Sequence, residues 1–371
     1  MPVVVFEAKQ NAHHINLRWR SWVVIFITSF AFGGQVFATT AAGANIAFIV
    51  RDLGEPEIAG WIIQGPLLMQ SILSPVVGRL SDVLDRKYMA SIPPLIALIG
   101  AIISAKATSM TMLIGGGILI GACIVTAPIV HAIQAEVMPL KYRALANAFT
   151  FIGTTVGTYG GGLGGSAATN TGPSGWRYIF WIQIFFHGAT SLGFLLFYWP
   201  PRRSDYPTMS LKEYIWTCDP IGSFFFIGGT TLLLLAFDWA GGTYRWSNVH
   251  VAVPLGVAIA LLIIFGLYEW KGRKDGIVAH VFFQSGPNFP LAVFAFTIEG
   301  WVFYSAVNSF VPQAILNLGF EDNAWDTGIR QLSYGVPSLF ASWCFAGWAT
   351  HYKDLKRPLI LSFTLFLIAS V

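Results

Sequence analysis

Charged residues are scarce in this sequence: Asp, Glu, Lys and Arg make up 11% of its 371 residues, against about 25% in soluble domains. The three cysteines, Cys123, Cys218 and Cys344, are far apart and lie in or beside apolar stretches, which excludes a disulfide framework and a CxxC metal site. No basic run is interleaved with aromatic residues, so nucleic-acid binding is not expected. These absences exclude an ordinary soluble domain and leave no sign of a metal or another cofactor.

Apolar residues are abundant, at 55% of the chain with a mean hydropathy of +0.62. A soluble domain needs more polar residues to cover its core, so lipid must solvate this chain. A membrane-spanning helix needs about 20 apolar residues. Ten complete runs of this kind are bounded by charge, at 22–43, 58–77, 88–107, 112–133, 145–168, 178–199, 220–237, 249–268, 289–311 and 332–350. An eleventh run, 358–371, is too short to cross. The sequence predicts an all-α polytopic membrane protein.

The distribution of basic residues predicts the orientation of these helices. With the N-terminus inside, 17 of the 22 Lys and Arg residues fall in segments on the cytoplasmic side. The other five are Arg51, Lys106, Arg177, Arg245 and Arg330. Because cytoplasmic loops carry an excess of Lys and Arg, we expect a cytoplasmic N-terminus. The plasma membrane is the default location, with vacuolar and vesicular membranes as alternatives.

The second connection, Gly78-Arg-Leu-Ser-Asp-Val-Leu-Asp-Arg-Lys-Tyr88, reads as a tight cytoplasmic turn. We expect Gly78 to let two helices approach closely and Asp82 to pair with cations or a helix N-terminus. The segment resembles the signature of the major facilitator superfamily between helices two and three, which Gly78, Asp82, Arg86 and Lys87 match. Asp85 departs from that pattern, because the family usually has glycine just before the arginine. The resemblance implies a cytoplasmic gating motif, to which we add Arg143 after helix four.

Four glycines recur at every fourth residue of the predicted fifth helix: Gly153, Gly157, Gly161 and Gly165. A stripe of small residues permits a close helix crossing, so we expect these glycines to serve helix packing. The run 160–165 also satisfies GxGxxG, but it lies inside a membrane span and follows no strand, which argues against a dinucleotide site. In family terms the stripe resembles the glycine-rich helix-five motif of drug-efflux members, with Gly161 in place of proline.

Further local sequences resemble the fungal branch of the superfamily that includes trichothecene efflux pumps and siderophore transporters. They are Glu136-Val-Met-Pro-Leu-Lys-Tyr-Arg143, Trp176-Arg-Tyr-Ile-Phe180, Phe237-Asp-Trp-Ala-Gly-Gly-Thr-Tyr-Arg-Trp246 and Tyr268-Glu269. The resemblance implies fourteen helices, two of them inserted between six-helix halves. We therefore divide the chain into a tail (1–21), a six-helix bundle (22–199), a linker (200–219), the inserted pair (220–268) and the start of a second bundle (269–371). On this interpretation the chain is truncated in helix eleven.

Polar residues inside the predicted helices are candidates for a substrate or proton pathway, because they are costly against lipid. Glu299 is a lone carboxylate near the middle of the ninth helix, and protonation would let its charge change during a cycle. The arginine that proton-driven antiporters of the superfamily carry in helix four is replaced by Gly117. For each histidine, a packing role and a pathway role are equally favoured. The other candidates are Gln35, Thr39, Gln64, His131, Gln134, Gln183 and His187.

The resemblance implies a secondary transporter with alternating access, not an enzyme, since no covalent chemistry is required. The expected partners are the lipid bilayer, a small organic substrate such as a toxin or drug, and protons as a candidate co-substrate, with the chain acting as a monomer. Two alternatives remain open: a siderophore-iron importer of the same superfamily, and a truncated membrane protein that acts as a sensor or does not transport.

Overall fold

The computed structural model describes residues 19–139, 142–169, 171–172, 174–199, 210–241, 243–273, 276–278, 280–284, 286–302, 324–354 and 356–370. This part of the chain is almost entirely helical, and its only β-structure is an isolated bridge between Ala240 and Tyr244. The predicted all-α class is confirmed. Residues 1–18 of the predicted tail, residues 200–209 of the predicted linker and the part of the predicted ninth helix beyond Val302 lie outside the described residues.

The first half of the chain forms these helices: α1 (Trp19–Ala44), α2 (Ile46–Leu53), α3 (Trp61–Val83), α4 (Arg86–Ala105), α5 (Met110–Ile124), α6 (Ala127–Val137), α7 (Arg143–Tyr159), α8 (Gly165–Thr169) and α9 (Arg177–Phe197). A 3₁₀ turn, Pro56–Ile58, precedes α3.

The remaining helices are α10 (Leu211–Thr217), α11 (Pro220–Trp239), α12 (Val249–Leu267), α13 (Val281–Gln284), α14 (Asn288–Val302), α15 (Ala324–Tyr352) and α16 (Lys356–Ser370). Among the described residues, seven helices are long and apolar enough to cross a membrane. The short helices α2, α10 and α13 were not predicted, because hydropathy runs reveal only long apolar helices.

Helix α1 forms the centre of the first bundle, where it packs against α7 and α9. Its buried positions include many small residues, among them Ala31, Gly33, Gly34 and Ala41. Without bulky side chains, neighbouring backbones can come close, which is how helices associate in lipid. Helix α4 packs against α5 and α9 and completes the bundle.

The predicted fourth span is not one continuous helix. It breaks at Val125 and Thr126, between α5 and α6. The cause is Pro128 near the start of α6: proline has no N–H to donate to the carbonyl four residues earlier, and its ring clashes with that carbonyl. The fifth span is also irregular, because Gly160–Gly164 form a π-helical turn between α7 and α8. A glycine run resists regular helix because of its conformational freedom.

Helices α11 and α12 pack against each other, and α11 also contacts α3. A π-helical turn, Tyr268–Gly272, extends α12. Farther along, α15 packs on α7, where Phe149 and Trp343 meet edge to face with ring centroids 5.3 Å apart. We call the end of the helices that carries Arg79, Arg86 and Lys87 the basic end.

Candidate functional site

The connection that carries the predicted gating motif is shorter than the sequence indicated. Helix α3 continues to Val83, so only Leu84 and Asp85 separate it from α4. Gly78 therefore lies within α3, and in the described structure a Cβ added there would have no neighbour within 4 Å. Within the described ranges, no neighbour makes the close approach that was expected at Gly78. Asp82 lies in the last turn of α3, and its side chain is outside what the structure describes.

Arg86 anchors the basic end by an ion pair with Glu136 at the end of α6. The other oxygen of that carboxylate, Oε2, accepts a hydrogen bond of 2.9 Å from the hydroxyl of Tyr198, just beyond α9. Burial first, and the Glu136 charge second, raise the pKa of Tyr198 above its usual value, so the phenol remains a donor. These three residues, the Arg86–Glu136–Tyr198 latch, join the ends of α4, α6 and α9.

The neighbours of Arg86 explain two further features of the motif. Asp85 caps α4, since its Oδ1 accepts a hydrogen bond of 2.9 Å from the backbone N–H of Lys87; an N-cap carboxylate is favourable at this position. The Lys87 ammonium lies 3.0 Å from the centroid of the Trp199 ring, a cation–π contact to the residue that follows Tyr198. Arg143, the remaining motif residue, is exposed at the first residue of α7.

The glycine stripe faces α1 along its whole length. A Cβ on Gly153 would overlap the carbonyl oxygen of Ser29, and one on Gly157 would overlap that of Gly33. Further along, a Cβ on Gly161 would overlap the Thr40 hydroxyl, and one on Gly165 would lie 2.9 Å from Asn45 Nδ2. The stripe therefore permits backbone-to-backbone packing of α1 on α7 and the π-helical turn.

Residues about one turn apart on one face of α1 contact the broken helix formed by α5 and α6. Thr28 accepts a hydrogen bond of 2.8 Å from Gln134 Nε2, and Gln134 also bonds to Thr150 on α7. One turn on, the Phe32 ring contacts the His131 ring at an interplanar angle of 48°, with centroids 4.4 Å apart. The next residue on this face, Gln35, bonds to Cys123 and Thr126 at the break itself. Helix α1 therefore contacts both halves of the interrupted helix.

Side chains from two neighbouring helices satisfy the carbonyl groups exposed by the break. Gln35 Nε2 donates to the carbonyl of Cys123 at 3.0 Å and to Thr126 Oγ1 at 3.3 Å. On the opposite side, the hydroxyl of Ser74 in α3 donates to the carbonyl of Val125 at 3.4 Å. Irregular backbone at membrane depth is tolerated where such groups are satisfied or line a cavity. Discontinuous helices of this kind form substrate sites in several transporter folds.

The predicted pathway residues divide into two groups by exposure. Gln35 and Gln134 are 4% and 1% exposed and are occupied by hydrogen bonds inside the bundle. In this structure the Gln35 side chain is buried, because its amide bonds to Cys123 and Thr126 where α5 meets α6. The accessible candidates are Gln64, His131 and Glu299, which are exposed, and Thr39, which is half-buried and bonds only to the carbonyl of Val36 among the described residues.

Gln183 and His187 on α9 are 0% and 1% exposed. Among the described residues, neither amide atom of Gln183 has a hydrogen-bond partner, and the same holds for His187 Nε2. Gln183 lines a small cavity of about 10 Å³ together with Gly117. A cavity of that size holds about one water molecule.

A second polar cluster lies at the end opposite the latch. The sequence did not predict it. Asp52, one residue before the end of α2, accepts hydrogen bonds from Trp176 Nε1 at 2.8 Å and Arg177 Nη1 at 2.7 Å. Arg177 Nη2 also donates to the carbonyl of Ala107. The hydrogen bond from Arg177, followed by the one from Trp176, lowers the pKa of Asp52. This Asp52–Trp176–Arg177 clamp ties α2 to α9 and to the α4–α5 connection.

Comparison with known proteins gives a family match. The model of the Major Facilitator Superfamily matches residues 22–371. The MFS-type transporter pydD of Acremonium sp. is 28% identical over 282 residues, which cover 74% of this chain and 46% of the relative. The efflux pump dotC of Dothistroma septosporum is 26% identical over 298 residues, covering 76% of this chain and 48% of that protein. The MFS-type transporter TOXA of Cochliobolus carbonum is 28% identical over 310 residues, covering 77% and 52%. The chain spans about half the length of these curated relatives.

Proposed function

The chain belongs to the Major Facilitator Superfamily, and on this premise we propose that it is a secondary transporter that exports small organic molecules by alternating access. The observation that carries the proposal is the family match from residue 22 to residue 371, together with alignments over about three quarters of the chain to proteins named as transporters and efflux pumps. Export is the direction that the names of such relatives favour, since one of them is named an efflux pump.

The chain is a multi-pass integral membrane protein. Beyond that, we propose that the basic end faces the cytoplasm in the plasma membrane, because 17 of the 22 basic residues lie in segments on that side. The division into a six-helix bundle, an inserted pair and a second bundle that begins at residue 269 is part of the same proposal. It is supported by the packing of α11 and α12 on each other.

The latch supports a rigid-body role for the first bundle. Arg86, Glu136 and Tyr198 lie on three different helices of the same bundle, so their bonds make the basic ends of α4, α6 and α9 move together. Alternating access requires bundles that rock as units about a midmembrane cavity. The latch therefore holds the helices of the first bundle together as one rigid body. It does not connect that bundle to another.

The substrate pathway is proposed to run past the accessible polar residues and not the hydrogen-bonded ones. Gln64 on α3 and His131 on α6 are exposed on helices that flank the break, and Thr39 is half-buried on α1. Glu299 on α14 is the proposed proton-binding carboxylate, since a lone acid in an apolar helix calls for a function. The candidate partners are one small molecule and protons, and the transporter is proposed to act as a monomer.

The proposal is tested by expressing the chain in yeast cells that lack their own drug pumps and measuring the accumulation of a labelled lipophilic toxin. Export predicts lower accumulation than in cells with the empty vector, and restored accumulation once the proton gradient is dissipated. Unchanged accumulation would contradict transport by this chain. Higher accumulation of an iron-loaded siderophore would favour the importer alternative. A fluorescent tag in the same cells locates the protein to the plasma, vacuolar or vesicular membrane.

A further inference from the structure

Two buried acids lie side by side at the basic end of the inserted pair. Asp219 is the residue before α11, and Glu269 lies in the π-helical turn after α12. They are 0% and 5% exposed, and their carboxyl groups are neighbours: a Cβ built on Gly222 would overlap Asp219 Oδ2 and lie 3.0 Å from Glu269 Oε1. Because a deprotonated carboxylate only accepts hydrogen bonds, a hydrogen bond between the two groups requires a proton on one of them.

The other bonds of the two acids show which oxygen lacks a donor. Asp219 Oδ1 accepts from the backbone N–H of Gly222 at 3.1 Å and lies 3.5 Å from Arg273 Nη1. Asp219 Oδ2 is fully buried and has no hydrogen-bond partner in the described structure. Glu269 accepts from the N–H groups of Ile277 at 3.1 Å and Val278 at 3.4 Å, through different oxygens. A proton on the neighbouring carboxyl of Glu269 would supply the missing donor at Oδ2.

The charges of the cluster lead to the same requirement. With both acids ionised, two buried negative charges would lie next to each other beside the guanidinium of Arg273, and like charges that share a buried site are strongly unfavourable. Two carboxyls that share a site resolve this by keeping one proton. With that proton in place, Asp219 and Arg273 form a neutral pair.

We propose that Asp219 and Glu269 form a buried proton-binding site, in which protonated Glu269 donates a hydrogen bond to the carboxylate of Asp219. The site goes beyond the proposed transport function and does not depend on it. Its ligand is one proton, which is taken up from water and returned to it unchanged.

Two glycines allow the acids to be buried so closely. A Cβ on Gly222 would overlap Asp219 Oδ2, and a Cβ on Gly276 would overlap both oxygens of Glu269. Backbone thus surrounds the pair on two sides.

The site lies where several elements meet. The Arg273 guanidinium is 5.6 Å from the centroid of the Trp216 ring in α10, and His280 Nε2 is 2.8 Å from the carbonyl of Glu269. From α3, Arg79 Nε donates to the carbonyl of Thr217 at 3.3 Å. Loss of the proton would add a negative charge at this junction of the inserted pair with α3 and α10.

The test compares variants of the purified chain by infrared spectroscopy and by thermal unfolding. Glu269→Gln keeps a donor for Asp219, while its single amide oxygen accepts from only one of the two N–H groups of Ile277 and Val278. We expect the loss of one protonated-carboxyl C=O band and a smaller fall in Tm than for Glu136→Gln. The matched control, Glu136→Gln in the latch, removes an ionised acid, so it should lower the Tm and leave that band in place.

A second variant keeps the proposal testable if the first variant does not fold. Asp219→Asn gives Glu269 an amide donor, so Glu269 no longer needs its proton and the same band should disappear. Loss of the band in either variant supports the site. A band that persists in both variants, its absence from the parent chain at neutral pH, or a Tm loss in Glu269→Gln as large as in Glu136→Gln would overturn the proposal.

Discussion

The hydroxyl of Tyr198 donates a hydrogen bond to Glu136, the carboxylate that also pairs with Arg86 fifty residues earlier in the chain. Glu136 is thus shared by two donors from two other helices, and removing its charge affects both contacts.

We predict that Glu136→Gln destabilises the bundle by about 1–2 kcal/mol, because the carboxylate accepts charge-assisted bonds but is about a third exposed, at 34%. Tyr198→Phe removes only the neutral donor and should cost about 1 kcal/mol. Thermal unfolding in detergent measures both. Glu57→Gln, at an exposed acid in the 3₁₀ turn, is the matched control and should leave the Tm unchanged. Equal Tm values for the Glu136 and Glu57 variants would contradict the latch.

Gly157→Ala should destabilise the packing of α1 on α7 by about 1–3 kcal/mol, the usual cost of overpacking. The added Cβ would overlap the carbonyl oxygen of Gly33, a backbone atom that cannot rotate away. Gly162→Ala is the control, since a Cβ there has no described neighbour within 4 Å. The measurement is the Tm of each variant. If the two substitutions have the same effect, the stripe does not act through close contact with α1.

The Asp52–Trp176–Arg177 clamp predicts a pH dependence. A carboxylate whose pKa is lowered by folding contributes stability above the pKa of the unfolded chain, about 3.9. That stability is lost as the pH falls through the lower pKa of the folded state. Asp52→Asn should therefore lower the Tm at neutral pH and flatten its decline below about pH 4, relative to the parent chain. The effect is modest, because the Asp52 side chain is 27% exposed. Identical pH profiles would contradict the clamp.

Gln35 and Gln64 should respond differently to the same substitution. Gln35→Leu removes the donor to Cys123 and Thr126 at the helix break, so we expect a lower Tm, by the equivalent of about 1–3 kcal/mol. Gln64→Leu alters an exposed side chain and should leave the Tm unchanged while reducing toxin export. Accumulation assays alongside unfolding distinguish the two roles. A Gln64 variant with full export would remove this residue from the proposed pathway.

Much of the helical layout could be predicted from hydropathy, because each span is a long apolar run that is bounded by charge. The second span was predicted at 58–77 and forms Trp61–Val83, and the sixth was predicted at 178–199 and forms Arg177–Phe197. The break in the fourth span was missed although Pro128 is visible in the sequence, since a proline inside an apolar run bends some helices and interrupts others.

The partners of the site residues could not be predicted from spacing. Glu136 and Tyr198 are separated from Arg86 by 50 and 112 positions, and only tertiary packing brings them together. Asp219 and Glu269 are similar: Glu269 was noted only as part of a family-like dipeptide, and nothing in the local sequence pairs it with Asp219. Burial also differed from expectation at Gln35, because amphipathic patterns do not distinguish a cavity from a hydrogen-bonded interior.

The central claim is transport, and its most direct test uses the purified chain in liposomes with an imposed proton gradient and a labelled lipophilic toxin. The account predicts that vesicles in which the basic end faces outward take up more of the labelled toxin than empty liposomes do. When the gradient is dissipated, this uptake should fall to the level of empty liposomes. Uptake equal to that of empty liposomes under an intact gradient would contradict it.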